Sequence, residues 1–129
     1  MDTRSKILAG GAEWPRLDRP LAVVTGYFDV LRAEHAREFE QVRKSAATVV
    51  AIVLPREGEL LPLQARAELV AALRAVDWVA CAETAEPAGI LATLRPDSLM
   101  RLEENDERHW RQLREHVRKR HSDPPAPDR

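Results

Sequence analysis

Apolar residues along the chain fall into two kinds of grouping. Leu21, Ala22, Val23, Val24 and Thr25 form a short unbroken run closed by Gly26, and residues 48–54 form a second that is continuously apolar and β-branched. A run without polar alternation suits a strand buried on both faces, the habit of parallel sheets. Trp78, Val79, Ala80 and Cys81 supply a third strand within 77–82, and Ser98, Leu99 and Met100 form either a marginal fourth or the extended lead into the next helix. Between the strands the spacing changes. Ala36, Phe39 and Val42 recur at steps of three within 33–44, and Leu63, Ala67, Val70 and Leu73 at steps of three and four within 62–75. Each series marks one buried helix face. Pro62 suits the first turn of the second helix, and a shorter third helix follows over 87–94.

Strands alternating with helices predict βαβ units in a three-layer, Rossmann-like α/β domain with a parallel sheet, here over residues 21–102. Residues 1–20, punctuated by Gly10, Gly11, Pro15 and Pro20, support little more than a short helix or a strap that Trp14 pins to the core. An added C-terminal helix is expected over 103–121. Its acids come early and its bases late, in line with the helix dipole, and Trp110, Leu113 and Val117 form an apolar stripe. That stripe packs either on the domain's own sheet or on a partner, and a homodimer is the expectation, because so small a sheet has limited burial of its own. Residues 122–129, with Pro124, Pro125 and Pro127, read as a disordered tail.

Composition narrows the classes of function. The 129 residues carry 20 Lys+Arg against 21 Asp+Glu, a net charge of -1, so nothing draws the whole molecule to nucleic acid or to an anionic membrane. The longest strongly apolar run, residues 46–54, is far short of the about 20 residues a membrane-spanning helix needs. Residues 1–11 lack the apolar stretch of a secretory signal, and the single Cys81 permits no intrachain disulfide, so a cytoplasmic location is expected. His109 and His116 share a helix face, but two histidines fall short of a zinc site, and no metal site is predicted.

The sharpest local feature joins the first strand to the first helix: Thr25, Gly26, Tyr27, Phe28, Asp29, then Arg32, Ala33, Glu34, His35. In such folds, strand carboxyl ends open onto helix amino ends, whose unpaired N–H groups attract phosphate. Gly26 lets a ligand approach the backbone or simply makes a turn. Asp29 orients a donor or caps the turn. Phe28 reads as core.

These residues resemble the cytidylyltransferase-like nucleotidyltransferases, closest to their sugar-phosphate and glycerol-phosphate members. The family's first loop carries His-x-Gly-His after a Gly-x-Phe-Asp stretch; here the stretch reads T-G-Y-F-D and the signature reads Arg32, Ala33, Glu34, His35. The run from Arg66 to Leu73 with Val76, Asp77, Trp78 and Val79 looks like the family's second helix and third strand, and Arg95, Pro96, Asp97 like its next landmark. The likeness covers about residues 20–100. It implies transfer of a nucleotidyl group from CTP or ATP, with Mg²⁺, to a small phosphorylated acceptor and release of pyrophosphate. It also implies Arg32 and His35 as catalytic phosphate-stabilising groups, residues 25–29 as the nucleotide cradle, and Arg66 as a phosphate clamp or else a polar-face residue of the second helix.

The departures from the pattern are physical. Arg32 can still bind phosphate bidentately, although its fork and permanent charge differ from an imidazole. Glu34 adds volume and a carboxylate where the family has glycine. Two unit charges 4 Å apart interact by about 4 kcal/mol at an effective dielectric near 20, so an inward Glu34 opposes a triphosphate. Arg56 stands alone in the 55–61 loop, where the family has a lysine and an Arg-Pro pair. Arg101 and Leu102 stand where it has Lys-Gly, and its late Ser-Ser/Thr motif has no counterpart. Two classes therefore stay open: an active nucleotidyltransferase, and a catalytically degenerate relative serving as an interaction or ligand-sensing protein.

Overall fold

The computed structural model describes residues 2–8, 13–29, 31–84 and 86–103, together with Arg111 and Glu115. Four strands form one sheet: β1 (Leu21–Gly26), β2 (Thr48–Val53), β3 (Trp78–Cys81) and β4 (Ser98–Arg101), all parallel in the order β3-β2-β1-β4. Helices α1 (Ala33–Arg43), α2 (Leu63–Ala71) and α3 (Ala88–Leu94) alternate with the strands, and one 3-10 turn, Thr3–Lys6, precedes them. The expected α/β class is the observed one.

Every residue of β1 and β2 is buried, which is why these strands read as unbroken apolar runs. Alternation survives within them: Val49, Ala51 and Val53 join Phe28, Phe39, Ala67 and Val70 on one face, whereas Val50, Ile52 and Leu54 join Leu21, Val23 and Leu94 on the other. Trp14 packs against the second cluster, and Ile7 bridges to Val79 in β3. Two long basic side chains tie helix ends down. Lys6 Nζ donates to Leu73 O at 3.1 Å beyond α2, and Arg19 Nη2 donates to Leu94 O at 2.8 Å at the end of α3.

Several boundaries differ from the sequence reading. Pro62 is the cap of α2 rather than part of its first turn, and α2 stops at Ala71 because Leu73 and Val76 turn through i+3 hydrogen bonds to Val70 and Leu73. On α1 the buried positions are His35 and Phe39, with Val42 partly buried and Ala36 at intermediate exposure. The fourth strand is a full parallel partner of β1, but all four of its residues are exposed, with Leu99 and Met100 at the open edge. Trp110, Leu113, Val117, His109, His116 and the tail lie outside the described residues. No helix among those described is long and apolar enough to cross a membrane.

Candidate active site

The sheet order sets where a ligand can enter. From β1 the chain runs outward through β2 and β3, then returns to the opposite side of β1 as β4, so the strand order reverses at β1, the point at whose carboxyl edge such sheets bind ligands. Hydrogen bonds continue past the strand ends there: Leu102 N donates to Thr25 O at 2.8 Å, and Leu54 N to Gly26 O at 2.9 Å. Thr25 is fully buried, and its hydroxyl donates to the Glu103 carboxylate, whose oxygens lie 2.8 and 3.1 Å away. Arg101 Nη1 stands 3.7 Å from the same carboxylate. Sequence reasoning missed Glu103. Its place depends on the register of β4 against β1, which pairs Thr25 with Arg101, and a four-residue strand announces no register.

Beyond Gly26 the loop turns sharply. Phe28 takes a left-handed φ of 52°, rare for a bulky residue, and the turn buries its ring completely against His35 and Phe39, with centroids 5.7 and 5.8 Å away. Such a conformation costs about 1–2 kcal/mol and persists because the packing around it dictates it. Asp29 follows, 6% exposed; its Oδ1 accepts the Leu60 amide at 3.0 Å and the Leu61 amide at 3.5 Å. The carboxylate thus caps the loop after β2, the turn-capping role extended across to a second loop.

Helix α1 begins at Ala33 with Arg32 as its cap residue. The His35 amide donates to Arg32 O, and His35 Nδ1 accepts the Arg32 amide, both at 3.0 Å. An accepting Nδ1 places the ring's hydrogen on Nε2. His35 is only 3% exposed, so its visible work is to fix the first helical turn. Arg32 and Glu34 are both partly exposed and face one another, Arg32 Nη2 to Glu34 Oε1 at 3.0 Å. Glu34 therefore takes the outward arrangement, neutralising the guanidinium beside it.

Arg66 sits where the helical pattern offers a polar face, yet it is fully buried. Its Nε donates to Leu61 O at 3.0 Å, its Nη1 to Tyr27 O at 2.7 Å and Leu54 O at 2.8 Å, and its Nη2 to Glu59 Oε2 at 2.5 Å. Asp29 Oδ1 lies 3.9 Å from Nε. Arg56, which stands alone in the 55–61 loop, has a side chain only 9% exposed. Its Nε is 3.9 Å from Asp29 Oδ2 and its guanidinium lies 5.2 Å over the Tyr27 ring. Burial of charge requires such partners. The periodicity could not show them, because Arg66 turns inward from the helical pattern and Arg56 lies in a loop, both reaching Tyr27 and Asp29 across the fold.

The structure brings Thr25, Gly26, Tyr27, Phe28 and Asp29 together at the carboxyl edge, with Arg66 beneath them and Arg32 and His35 on the adjoining helical turn. Two hollows lie elsewhere: one of about 280 Å³ between α1 and β4, lined by Val42, Leu99 and Met100 among others, and one of about 340 Å³ at the end of β3, lined by Cys81, Glu83 and Ile90 among others. Burial pushes the Cys81 thiol up, away from thiolate. Among the described residues no three His, Cys, Asp or Glu side chains gather as metal ligands.

No family model matches the chain. Among curated proteins it is 34% identical over 109 residues to the D-beta-D-heptose 1-phosphate adenylyltransferase of Bordetella bronchiseptica, covering 77% of this chain and 67% of that protein. It is 35% identical over 108 residues to the bifunctional protein HldE of Koribacter versatilis, covering 77% of this chain but only 22% of the relative's length. Among solved structures, the lipopolysaccharide core biosynthesis protein from Thermoplasma volcanium matches with a TM-score of 0.57 at 19% identity, covering 61% of this chain and 70% of that one, a likeness of fold. With the strand order, the T-G-Y-F-D loop and the relative matched over two thirds of its length, this chain belongs to the nucleotidyltransferase family of the D-beta-D-heptose 1-phosphate adenylyltransferases.

Proposed function

We propose that the chain transfers an adenylyl group from ATP to a sugar phosphate, releasing pyrophosphate. The observation that carries this reading is the start of α1 at the carboxyl edge of β1, where the Arg32 guanidinium and the helix's N–H groups adjoin the T-G-Y-F-D loop. The name of the Bordetella bronchiseptica relative, an adenylyltransferase, favours ATP over CTP and turnover over a ligand-sensing role.

In the reaction an oxygen of the acceptor phosphate bonds to the α-phosphorus, and the bond from that phosphorus to the bridging oxygen breaks. The electron pair leaves on pyrophosphate, and no protein nucleophile is needed. The chain's own contribution is placement and charge. Arg32 exchanges the Glu34 carboxylate for phosphate oxygens, a bidentate match its fork is built for. His35 holds the Arg32 backbone, and the buried loop from Thr25 to Asp29 fixes the walls. Magnesium suits this donor set only as an ion carried by the nucleotide, since Mg²⁺ binds one or two carboxylates plus substrate phosphates. Glu103 is the carboxylate at the carboxyl end of β4, and the bound ion would neutralise charge gathering on the leaving pyrophosphate.

The test is pyrophosphate release from ATP or CTP with Mg²⁺ and a panel of sugar phosphates and glycerol phosphate, D-beta-D-heptose 1-phosphate first. Release that requires ATP and a sugar phosphate is expected. Absence of release with every pair would contradict the proposal.

A further inference from the structure

The geometry points to Arg66 as a positioning residue that couples the two loops flanking the mouth, rather than as a side chain that meets the phosphates. Four of its N–H directions are spent on protein: Leu61 O and Glu59 on the loop after β2, Leu54 O at the end of β2, and Tyr27 O on the loop after β1. A guanidinium offers five such donors in a rigid fork, so little remains for a ligand. The residue is also fully buried. Asp29 completes the same knot from the other side, accepting the Leu60 amide at 3.0 Å with the oxygen that lies 3.9 Å from Arg66 Nε.

The consequence is mechanical. The backbone of the T-G-Y-F-D loop is tied to residues 54–61 in two ways, through Arg66 from Tyr27 O to Leu54 O and Leu61 O, and directly from Asp29 Oδ1 to the Leu60 amide. Lysine keeps the charge but has a single nitrogen, which cannot reach four acceptors at once. Loosening Arg66 therefore releases the tie at Tyr27 O and the hold on Leu61 O, which slackens the segment that Asp29 caps, while leaving the central strands intact.

This kinetic role rests on the nucleotidyl-transfer reading, whereas the coupling itself does not. The experiment compares wild type with Arg66→Lys, and with Asp29→Asn should the first variant fail to fold. Amide hydrogen exchange is followed by NMR in the free protein, alongside steady-state kinetics with ATP and the active acceptor under conditions where each protein is folded. The expected result is at least tenfold faster exchange at Leu60 and Leu61, unchanged exchange at Val50 and Ile52, and at least a tenfold loss in kcat/KM. Glu59→Gln, which spares the three carbonyl bonds, is expected to change neither by more than about threefold. A kinetic loss with unchanged loop exchange would overturn the proposal, because Arg66 would then meet the nucleotide directly. Faster exchange with unchanged kinetics would overturn it as well, leaving a merely structural residue. If wild type turns over no ATP, the nucleotidyl-transfer reading fails on its own, and unchanged exchange at Leu60 and Leu61 would then sink the coupling.

Discussion

Glu34 is the residue whose chemistry the sequence posed most sharply. A carboxylate replacing glycine at a phosphate-facing helix start would cost several kcal/mol if it pointed inward. The structure turns it onto Arg32 at 3.0 Å, with 41% of its side chain exposed. A pair this exposed is worth about 0–1 kcal/mol, so it works as a weak competitor for the guanidinium rather than a barrier. Glu34→Gln should tighten ATP binding about two- to fivefold in calorimetry, with a steeper salt dependence because Arg32 is no longer neutralised. Weaker binding by that variant would mean the carboxylate helps hold the nucleotide. The identity of this residue was legible in the sequence; its direction was not, because a rotamer is decided by the partner it finds.

Among the elements, two aspartates follow one plan. Asp77, just before β3, has a carboxylate oxygen accepting the Val49 amide at 2.9 Å, and Asp97, just before β4, accepts the Leu21 amide at 2.7 Å. Each ties the start of one strand to its neighbour, and each has an arginine beside it, Arg43 and Arg19. The landmark Arg95-Pro96-Asp97 is thus a strand-joining device. The Leu21 amide, helped by Arg19, holds the Asp97 carboxyl below its usual 3.8. A depressed folded value means the stabilisation is present above 3.8 and is lost as pH falls through the lower folded value. Wild type and Asp97→Asn should therefore differ in urea midpoint at pH 6 and converge toward pH 3. A difference that persists unchanged at pH 3 would show that the charge is not what matters. Strands and helices of this size were legible because period and composition announce them; β4 was marginal because its exposed Ser98, Leu99, Met100 and Arg101 lack the apolar run that burial on both faces leaves.

At the scale of the whole molecule, a small parallel sheet gathers one loop, one helix start and one returning strand at its carboxyl edge. That gathering was legible, since βαβ order fixes which ends meet. What was not legible lies in contacts between segments far apart in sequence: Arg66 turned inward to Tyr27 and Leu54, Arg56 buried against Asp29, and Glu103 received by Thr25. Periodicity assigns a face to a residue but cannot say that a charge on a helix will be wanted by two loops. The loop at β1 is accordingly less open than its motif suggested, with Thr25, Phe28, Asp29 and His35 all buried and Arg32, paired to Glu34, supplying the positive charge at the helix start. The most direct test of that picture is calorimetric titration of ATP with Mg²⁺ into wild type and Arg32→Ala. Measurable binding by wild type, weakened about 10- to 100-fold by loss of the charge-assisted bonds, is the expected result. Equal binding by the two proteins, or none by wild type, would contradict it.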